Sequence, residues 1–500
     1  MRNRAVTDLR RIVQKASSKG CARLAGASNP LFRSMSVLLI GAMLLSACDA
    51  GAPAEETVYE EEASASEGAA PEEATSPEEA EPEEEGPSAS FTIQADEEVQ
   101  PAVAALYHAM YPGEEPAYVE DGADLQVLAV ASPALDVSGG SRAYLLPWAF
   151  AEVQTDNAGA AAFIDFATSP DGQQALIEEG LLPPSITLTD QAGREVTIPQ
   201  PLRRVVIPYG PAVYFLYSVG AEDRIIAANY LGGRSEAAQT TMTRIDPRFP
   251  EIYNDSIATD ELNLEEVAGM APDMIITNPR SPWVENVTAL GIPVFLVEGE
   301  TPERIQETMR LIGRMFGPNS TARADAWVAY YNSGLETIAT QTESVSEEDR
   351  VRVLFTGTEP LRVASGEMLQ SAIIEAAGGV SVSAELTGYW NDVNLEQIVL
   401  WEPDVIFVPQ YGGASIEAIT DSPEWQTLEA VQAGRVYLMP KLVAPWDTPT
   451  PDSVLAVIWT AQTLYPDLVE LDCATEVDYF YQTFYDYDIS EEEVVSLCGS

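Results

Sequence analysis

Leu262-Asn263-Leu264-Glu265-Glu266-Val267 runs into Ala271-Pro272-Asp273-Met274-Ile275-Ile276. The chain then repeats the phrase: Val393-Asn394-Leu395-Glu396-Gln397-Ile398 runs into Glu402-Pro403-Asp404-Val405-Ile406-Phe407. Asn263 and Asn394 stand 131 positions apart, and so do Pro272 and Pro403. Each copy reads as an Asn N-cap, a short amphipathic helix, a Pro-Asp break and a buried apolar strand. Two such units, one per half, predict two similar α/β lobes. The repeat also sets two matched carboxylates, Glu265 and Glu396, near the starts of equivalent helices, where a negative charge meets the helix dipole.

Outward from the repeat, the N-terminus carries eight basic residues and one acid, Asp8, over residues 1–36. An apolar run from Val37 comes next and ends in Leu45-Ser46-Ala47-Cys48. A basic segment, a short apolar run and small residues at a cut describe a secretory signal, and the run falls well short of the ~20 residues that span a bilayer. With Cys at its end it resembles a bacterial lipoprotein lipobox. That implies a signal peptide over 1–47 and Cys48 as the lipidated first residue of the mature chain. Residues 48–90 are almost entirely Glu, Ala, Pro, Ser and Gly. They have too little apolar surface to offset ordering entropy, which predicts a disordered acidic linker.

Of four cysteines, Cys21 leaves with the signal and Cys48 takes lipid, so Cys473 and Cys498 remain in the C-terminal segment 471–500. An oxidising compartment would join them in a disulfide worth about 3 kcal/mol; free buried thiols are the alternative.

The net charge is −53, and removal of the eight basic residues and one acid of the signal takes it to −60. Such a surface excludes nucleic-acid binding, which needs basic stripes. His108, the one histidine, lies outside the repeated region. Neither a histidine-based triad nor a histidine metal site can form in the two lobes. No G-x-S-x-G elbow or G-x-x-x-x-G-K-[ST] phosphate loop occurs, so the chain reads as a binder and not an enzyme.

Residues 91–183 form a small α/β unit that opens with a strand and helix over 91–110. It closes with Asn157-Ala158-Gly159-Ala160-Ala161-Ala162-Phe163-Ile164-Asp165-Phe166 and Ser169-Pro170-Asp171-Gly172-Gln173-Gln174. That closing stretch resembles the late helices of solute-binding proteins for phosphate and molybdate, and the unit is too short for both lobes of that family. Further on, Thr187-Leu188-Thr189-Asp190-Gln191-Ala192-Gly193-Arg194-Glu195-Val196-Thr197 reads as a hairpin, and Arg203-Arg204-Val205-Val206-Ile207-Pro208 as a buried strand.

The hairpin, the strand entering Pro208, the paired helix–strand phrases and Ser371-Ala372-Ile373-Ile374-Glu375-Ala376-Ala377-Gly378-Gly379 resemble the periplasmic binding proteins for ferric siderophores, haem and cobalamin. The resemblance covers about residues 186–470. It implies two α/β lobes, 184–318 and 346–470, joined by one long rigid helix at 319–345, with a ligand cleft between them. Ala326, Trp327, Tyr330, Tyr331 and Leu335 recur at helical spacing within that helix and read as core.

Ligands of open α/β sheets sit beyond the carboxyl ends of the strands. On that rule the first lobe offers Tyr209, Tyr230, Arg234, Asn278, Arg280 and Trp283. The second offers Thr356, Arg362, Tyr389, Trp390, Tyr411 and Trp446. Aromatic walls suit large planar ligands, and arginines suit carboxylates or catecholates. No intrinsic cofactor is expected. The cargo implied is a metal chelate, with a ferric siderophore first because it needs no protein ligand to the iron, and cobalamin or haem as alternatives. The implied partner is an ABC permease dimer with a separate ATPase, onto which Glu265 and Glu396 would dock; a sensor is the alternative partner. The expected protein is an extracytoplasmic, lipid-anchored monomer.

Overall fold

The computed structural model describes residues 91–129, 143–146, 149–153, 157–233, 235–411 and 415–499. The expected signal peptide over 1–47, the expected lipidation site Cys48 and the expected linker over 48–90 lie outside the described residues.

The first unit carries β1 (Thr92–Ala95), β2 (Ala117–Tyr118), β3 (Leu125–Ala129), β4 (Ala143–Leu146) and β5 (Ala149–Val153) in one sheet of order β2-β1-β3-β5-β4. β1 pairs in parallel with β2 and β3, whereas β5 runs antiparallel to both β3 and β4. The closing stretch folds as two consecutive helices, Ala158–Thr168 and Pro170–Glu178. Asn157 accepts from the N–H groups of Gly159 and Ala160, and Ser169 from that of Gly172, so each helix start has its cap. Phe163, Ile164 and Leu176 from these helices meet Phe91, Ile93 and Leu106 in a core of their own. Hydrogen bonds and an ion pair fasten the unit to lobe 1. Gln173 Nε2 donates to the buried Phe316 carbonyl at 3.0 Å, and Arg203 pairs with Asp171 at 2.8 Å.

The expected hairpin is β6 (Ser185–Thr189) and β7 (Glu195–Pro199). Asp190 fixes its turn by accepting from the Ala192 and Arg194 N–H groups. Lobe 1 continues with β8 (Val205–Ile207), β9 (Ile225–Ala228), β10 (Met274–Thr277) and β11 (Val294–Leu296), all parallel, in the order β11-β10-β8-β9. Lobe 2 carries β12 (Arg352–Phe355), β13 (Arg362–Val363), β14 (Val380–Ser381), β15 (Asn391–Asp392), β16 (Val405–Val408) and β17 (Val436–Leu438). β14-β12-β16-β17 form its parallel sheet, and β13 and β15 form a small antiparallel ribbon. In each lobe the strand that opens the sheet lies inside it, beside the strand that the repeated phrase leads into: β8 beside β10, and β12 beside β16. The two lobes are built on one plan.

The repeated phrase performs the same job in each lobe. Asn263 caps Leu264–Gly269 and Asn394 caps Leu395–Trp401. Both phrases pass through a left-handed residue just before the proline, Ala271 at φ 48° and Glu402 at φ 44°. The aspartate after each proline clamps the edge of the lobe's first strand: Asp273 Oδ2 accepts from the Arg203 and Arg204 N–H groups, and Asp404 Oδ2 from that of Arg352. Arg204 and Arg352 donate in turn to carbonyls at the ends of the same helices, Met270 and Ala271 in one lobe and Trp401 and Glu402 in the other. A cation at a helix C-terminus also meets the negative end of the dipole.

The linking helix spans Pro318–Gln341, shorter at its end than the 319–345 expected, because residues 342–345 turn away. Trp327 and Tyr331 are fully buried and belong to a core that runs continuously from lobe 1 through this helix into lobe 2. The C-terminal segment is part of that core and not an appendage. Its helices Cys473–Phe484 and Glu491–Cys498 are joined by the Cys473–Cys498 disulfide, and Tyr330 Oη donates to Glu476 across to the linking helix. Among the described residues, no helix is long and apolar enough to cross a membrane.

Candidate ligand-binding cleft

Loops leaving the carboxyl ends of the parallel strands converge on a cavity of about 360 Å³ between the lobes. Arg280 lies after β10 and Glu300 after β11 in lobe 1; Met368, Gln370, Tyr389, Trp390, Tyr411, Asp447, Thr448 and Pro449 come from lobe 2. Gly299 allows the two sides to meet, since a Cβ there would lie 2.9 Å from the Pro449 Cβ. Gly357 likewise makes room for the ring of Trp390, 3.0 Å from where its own Cβ would stand.

Across the mouth, Arg280 and Tyr389 form a latch. The guanidinium carbon lies 5.1 Å from the Tyr389 ring centre, and Arg280 Nη1 donates to Tyr389 Oη. Glu300 stands 3.9 Å from the same guanidinium. Burial pushes the Glu300 carboxyl up, and Arg280 pulls it back. Asn278 is buried and turns the loop: its Oδ1 accepts from the Arg280 N–H at 2.9 Å. Tyr209, at the start of helix Gly210–Ser218, is buried and, like Asn278, is not among the lining residues; burial raises its phenol, and Glu300 and Arg280 act on it in opposite directions.

The floor is a polar triad. Asp447 has no solvent exposure and accepts from Tyr411 Oη at 2.9 Å and from Gln370 Nε2 at 3.2 Å. Gln370 Nε2 also donates to the Asp447 carbonyl at 3.0 Å, which fixes the amide's orientation. Burial pushes the Asp447 carboxyl up to about 6, with Tyr411 and Gln370 opposing. Asp447 Oδ1 and Gln370 Oε1 have no hydrogen-bond partner among the described residues.

Of the residues nominated from sequence, Arg280, Tyr389, Trp390 and Tyr411 line the cavity. Others lie elsewhere. Tyr230 packs on Phe249 in the lobe 1 core and shares a hydrogen bond with Tyr217. Trp283 is buried in a separate lobe 1 cluster with Val206, Ile275 and Leu296, its Nε1 donating to the Thr259 carbonyl. Trp446 is fully buried beneath the cleft, with Nε1 directed at Tyr481 Oη. Thr356 is buried and donates its hydroxyl to the Phe407 carbonyl, and Arg362 is exposed on the β13–β15 ribbon. In each aromatic case the apolar area went to the core, which offers more of it than the cleft wall. Arg234 lies outside the described residues. Sequence reasoning missed Glu300, Gln370 and Asp447; the signal for Asp447 was an acid set directly after Ala444, Pro445 and Trp446. Among the described residues, no group of three His, Cys, Asp or Glu side chains is arranged to hold a metal ion.

Residues 238–442 match the family model described as periplasmic binding protein. The chain is 24% identical over 324 residues to the molybdate-binding protein MolA of Haemophilus influenzae, covering 60% of this chain and 90% of that one. It is 25% identical over 219 residues to the vitamin B12-binding protein of Yersinia pestis, covering 43% and 72%. In fold it is similar to a periplasmic solute-binding protein of Veillonella parvula, with a TM-score of 0.56 and 24% identity over 63% of this chain and 96% of the other. With two lobes built on one plan, a single linking helix and a cleft at the strand ends, the chain shares its fold with the periplasmic binding proteins whose family model residues 238–442 match.

Proposed function

We propose that the protein is an extracytoplasmic receptor, lipid-anchored through Cys48 and monomeric, that delivers a metal chelate to an ABC importer. A ferric siderophore is the first candidate cargo. The observation that carries this reading is the cavity between the lobes, walled by Tyr389, Trp390 and Tyr411 and latched by Arg280. Aromatic walls with a few placed polar groups are what ligand clefts of this kind use for affinity and orientation. A chelate brings its own metal ligands, which suits a cavity without a metal-binding cluster among the described residues.

The vitamin B12-binding and molybdate-binding relatives keep cobalamin and an oxyanion in the field. At about 360 Å³ the cavity is at the small end of ligand sites, so a bulky macrocycle would require a wider opening of the lobes. Haem would have to take an axial ligand from Tyr or Met, since no histidine lies in the lobes. Glu265 and Glu396 serve as the docking pair for the permease in this reading, one at the first turn of each repeated helix. The direct test is a fluorescence-quenching screen of ferric siderophores, cobalamin, haem and molybdate, read through Trp390. Saturable quenching by an iron chelate at micromolar or lower concentration supports the proposal; quenching by none of the four classes refutes it.

A further inference from the structure

The cavity floor states a chemical preference. Gln370 is 5% exposed and Asp447 is fully buried, yet each has an acceptor oxygen with no partner among the described residues. Buried acceptors are almost always paired, and one left bare costs the full desolvation of the group. The remaining atoms of the two side chains are already committed: Gln370 Nε2 to Asp447, and Asp447 Oδ2 to Tyr411 and Gln370. Neither side chain can turn to satisfy itself without breaking a bond it has. An ordered water, or a donor group on a molecule that enters the cavity, would complete them.

Charge points the same way. Two carboxyl groups, Glu300 and Asp447, face one guanidinium among the described lining residues, and Arg280 is engaged by Glu300 and Tyr389. Lys441, the one lysine beyond residue 47, is not part of the lining, and the whole chain stands at −53. An anionic cargo would meet repulsion at the floor and at long range. A site for a tetrahedral oxyanion or a catecholate would set its donors at the floor; this floor sets two buried acceptors without a partner among the described residues.

We propose that the cleft selects a neutral or cationic chelate whose buried end presents hydrogen-bond donors, an ammonium or hydroxyl group, to Asp447 Oδ1 and Gln370 Oε1, which are the specificity-determining pair. This rests on the proposed function and names the cargo class within it. Glu300 and Arg280 act at the mouth, and Trp390 and Tyr411 cover the apolar body of the ligand.

The test is a calorimetric titration of the full chain with four probes: a ferric trihydroxamate carrying a free ammonium, cyanocobalamin, a ferric tris-catecholate and molybdate. The cationic hydroxamate should bind at least about tenfold more tightly than either anion, and Asp447→Asn should weaken it by about tenfold or more while narrowing the gap to the anions. The wild-type ranking needs no variant, so poor folding of Asp447→Asn would not spare the proposal. Tighter binding of the catecholate or of molybdate overturns the inference and leaves the receptor function standing. No binding of any probe overturns the receptor function and the inference with it.

Discussion

Asp452 provides a sharp test of the packing under the cleft. Its carboxylate is fully buried and accepts from Tyr481 Oη at 2.7 Å and Tyr485 Oη at 2.5 Å. Tyr481 Oη also receives the Trp446 indole N–H at 3.2 Å, so one acid fastens the helix Cys473–Phe484 to the loop below the cavity. Burial pushes this carboxyl from 3.8 up to about 6, and the two tyrosines pull it only part of the way back. Because the folded value lies above the unfolded one, the folded protein holds the proton more tightly. The stability this group contributes is complete below about pH 4 and is lost as the pH rises through about 6.

Full ionisation therefore costs about 3 kcal/mol, of which about 2 kcal/mol returns on acidification from about pH 7.5 to about pH 4.5. Asp447, equally buried and also pushed up to about 6, adds an increment of similar size and the same sign. Wild-type protein in urea unfolding should gain about 4 kcal/mol from the two acids over that interval, besides relief of like-charge repulsion. Asp452→Asn keeps the shape and one acceptor but cannot titrate, so its gain should be about 2 kcal/mol smaller. Tryptophan emission tracks the transition at both pH values. Equal gains in the two proteins would mean that Asp452 does not take up a proton in the fold, and the account of this network would fall.

Four further outcomes are expected. Changing Glu265 and Glu396 together to Ala should abolish uptake in cells while leaving cargo affinity intact by titration; normal uptake would remove their docking role. Tyr389→Ala unlatches the mouth and should weaken cargo binding by about fivefold to thirtyfold, from the lost cation–π contact and charge-assisted hydrogen bond; an unchanged quenching titration would show the latch to be incidental. A chain without residues 49–183 should keep its affinity but melt earlier, having lost the Gln173–Phe316 bond and the Arg203–Asp171 pair; loss of binding would place part of the site in the first unit. Cys48→Ser should move the protein out of the detergent phase, and a mature N-terminus upstream of Cys48 by mass spectrometry would refute the lipid anchor.

The fold was legible where its determinants are local. An Asn cap, a Pro-Asp break and an apolar strand each act within a few residues, so the phrase at 262–276 and its copy at 393–407 declared themselves without knowledge of the tertiary contacts. The clamp between Asp273 and the strand edge at Arg204, and its twin between Asp404 and Arg352, was not legible, because it joins residues 69 and 52 positions apart. The site divided along the same line. Arg280 stood out as a rare cation just past a strand end in an acidic chain. Tyr230, Trp283 and Trp446 could not be told from wall residues, because a ring beside a loop fits a core or a cleft equally well by sequence. Asp447 and Gln370 were hidden for opposite reasons: acids are abundant here, and a glutamine opening the helix Leu369–Ala376 carries no pattern until the 445–449 loop is folded onto it.

Shared and divergent parts divide the molecule's work in a way the topology makes plain. Each capped helix leads through its tight Pro-Asp break directly into β10 or β16, so helix and strand run in opposite directions. The helix start, with Glu265 or Glu396, therefore lies toward the same edge as the strand's carboxyl end. That edge is where the loops bearing Arg280, Glu300, Tyr411 and Asp447 open. The features common to both lobes thus sit beside the features that differ. The matched carboxylates come from the repeated phrase and are related by the pseudo-symmetry of the lobes, whereas charges line one side of the cleft and aromatic rings with a polar triad line the other. A two-fold partner that gripped the repeated acids would face the mouth of the cavity directly, and parting the lobes would break the Arg280–Tyr389 latch before disturbing the triad. Cargo held chiefly by lobe 2 would then be exposed to the partner while still oriented by Asp447 and Gln370.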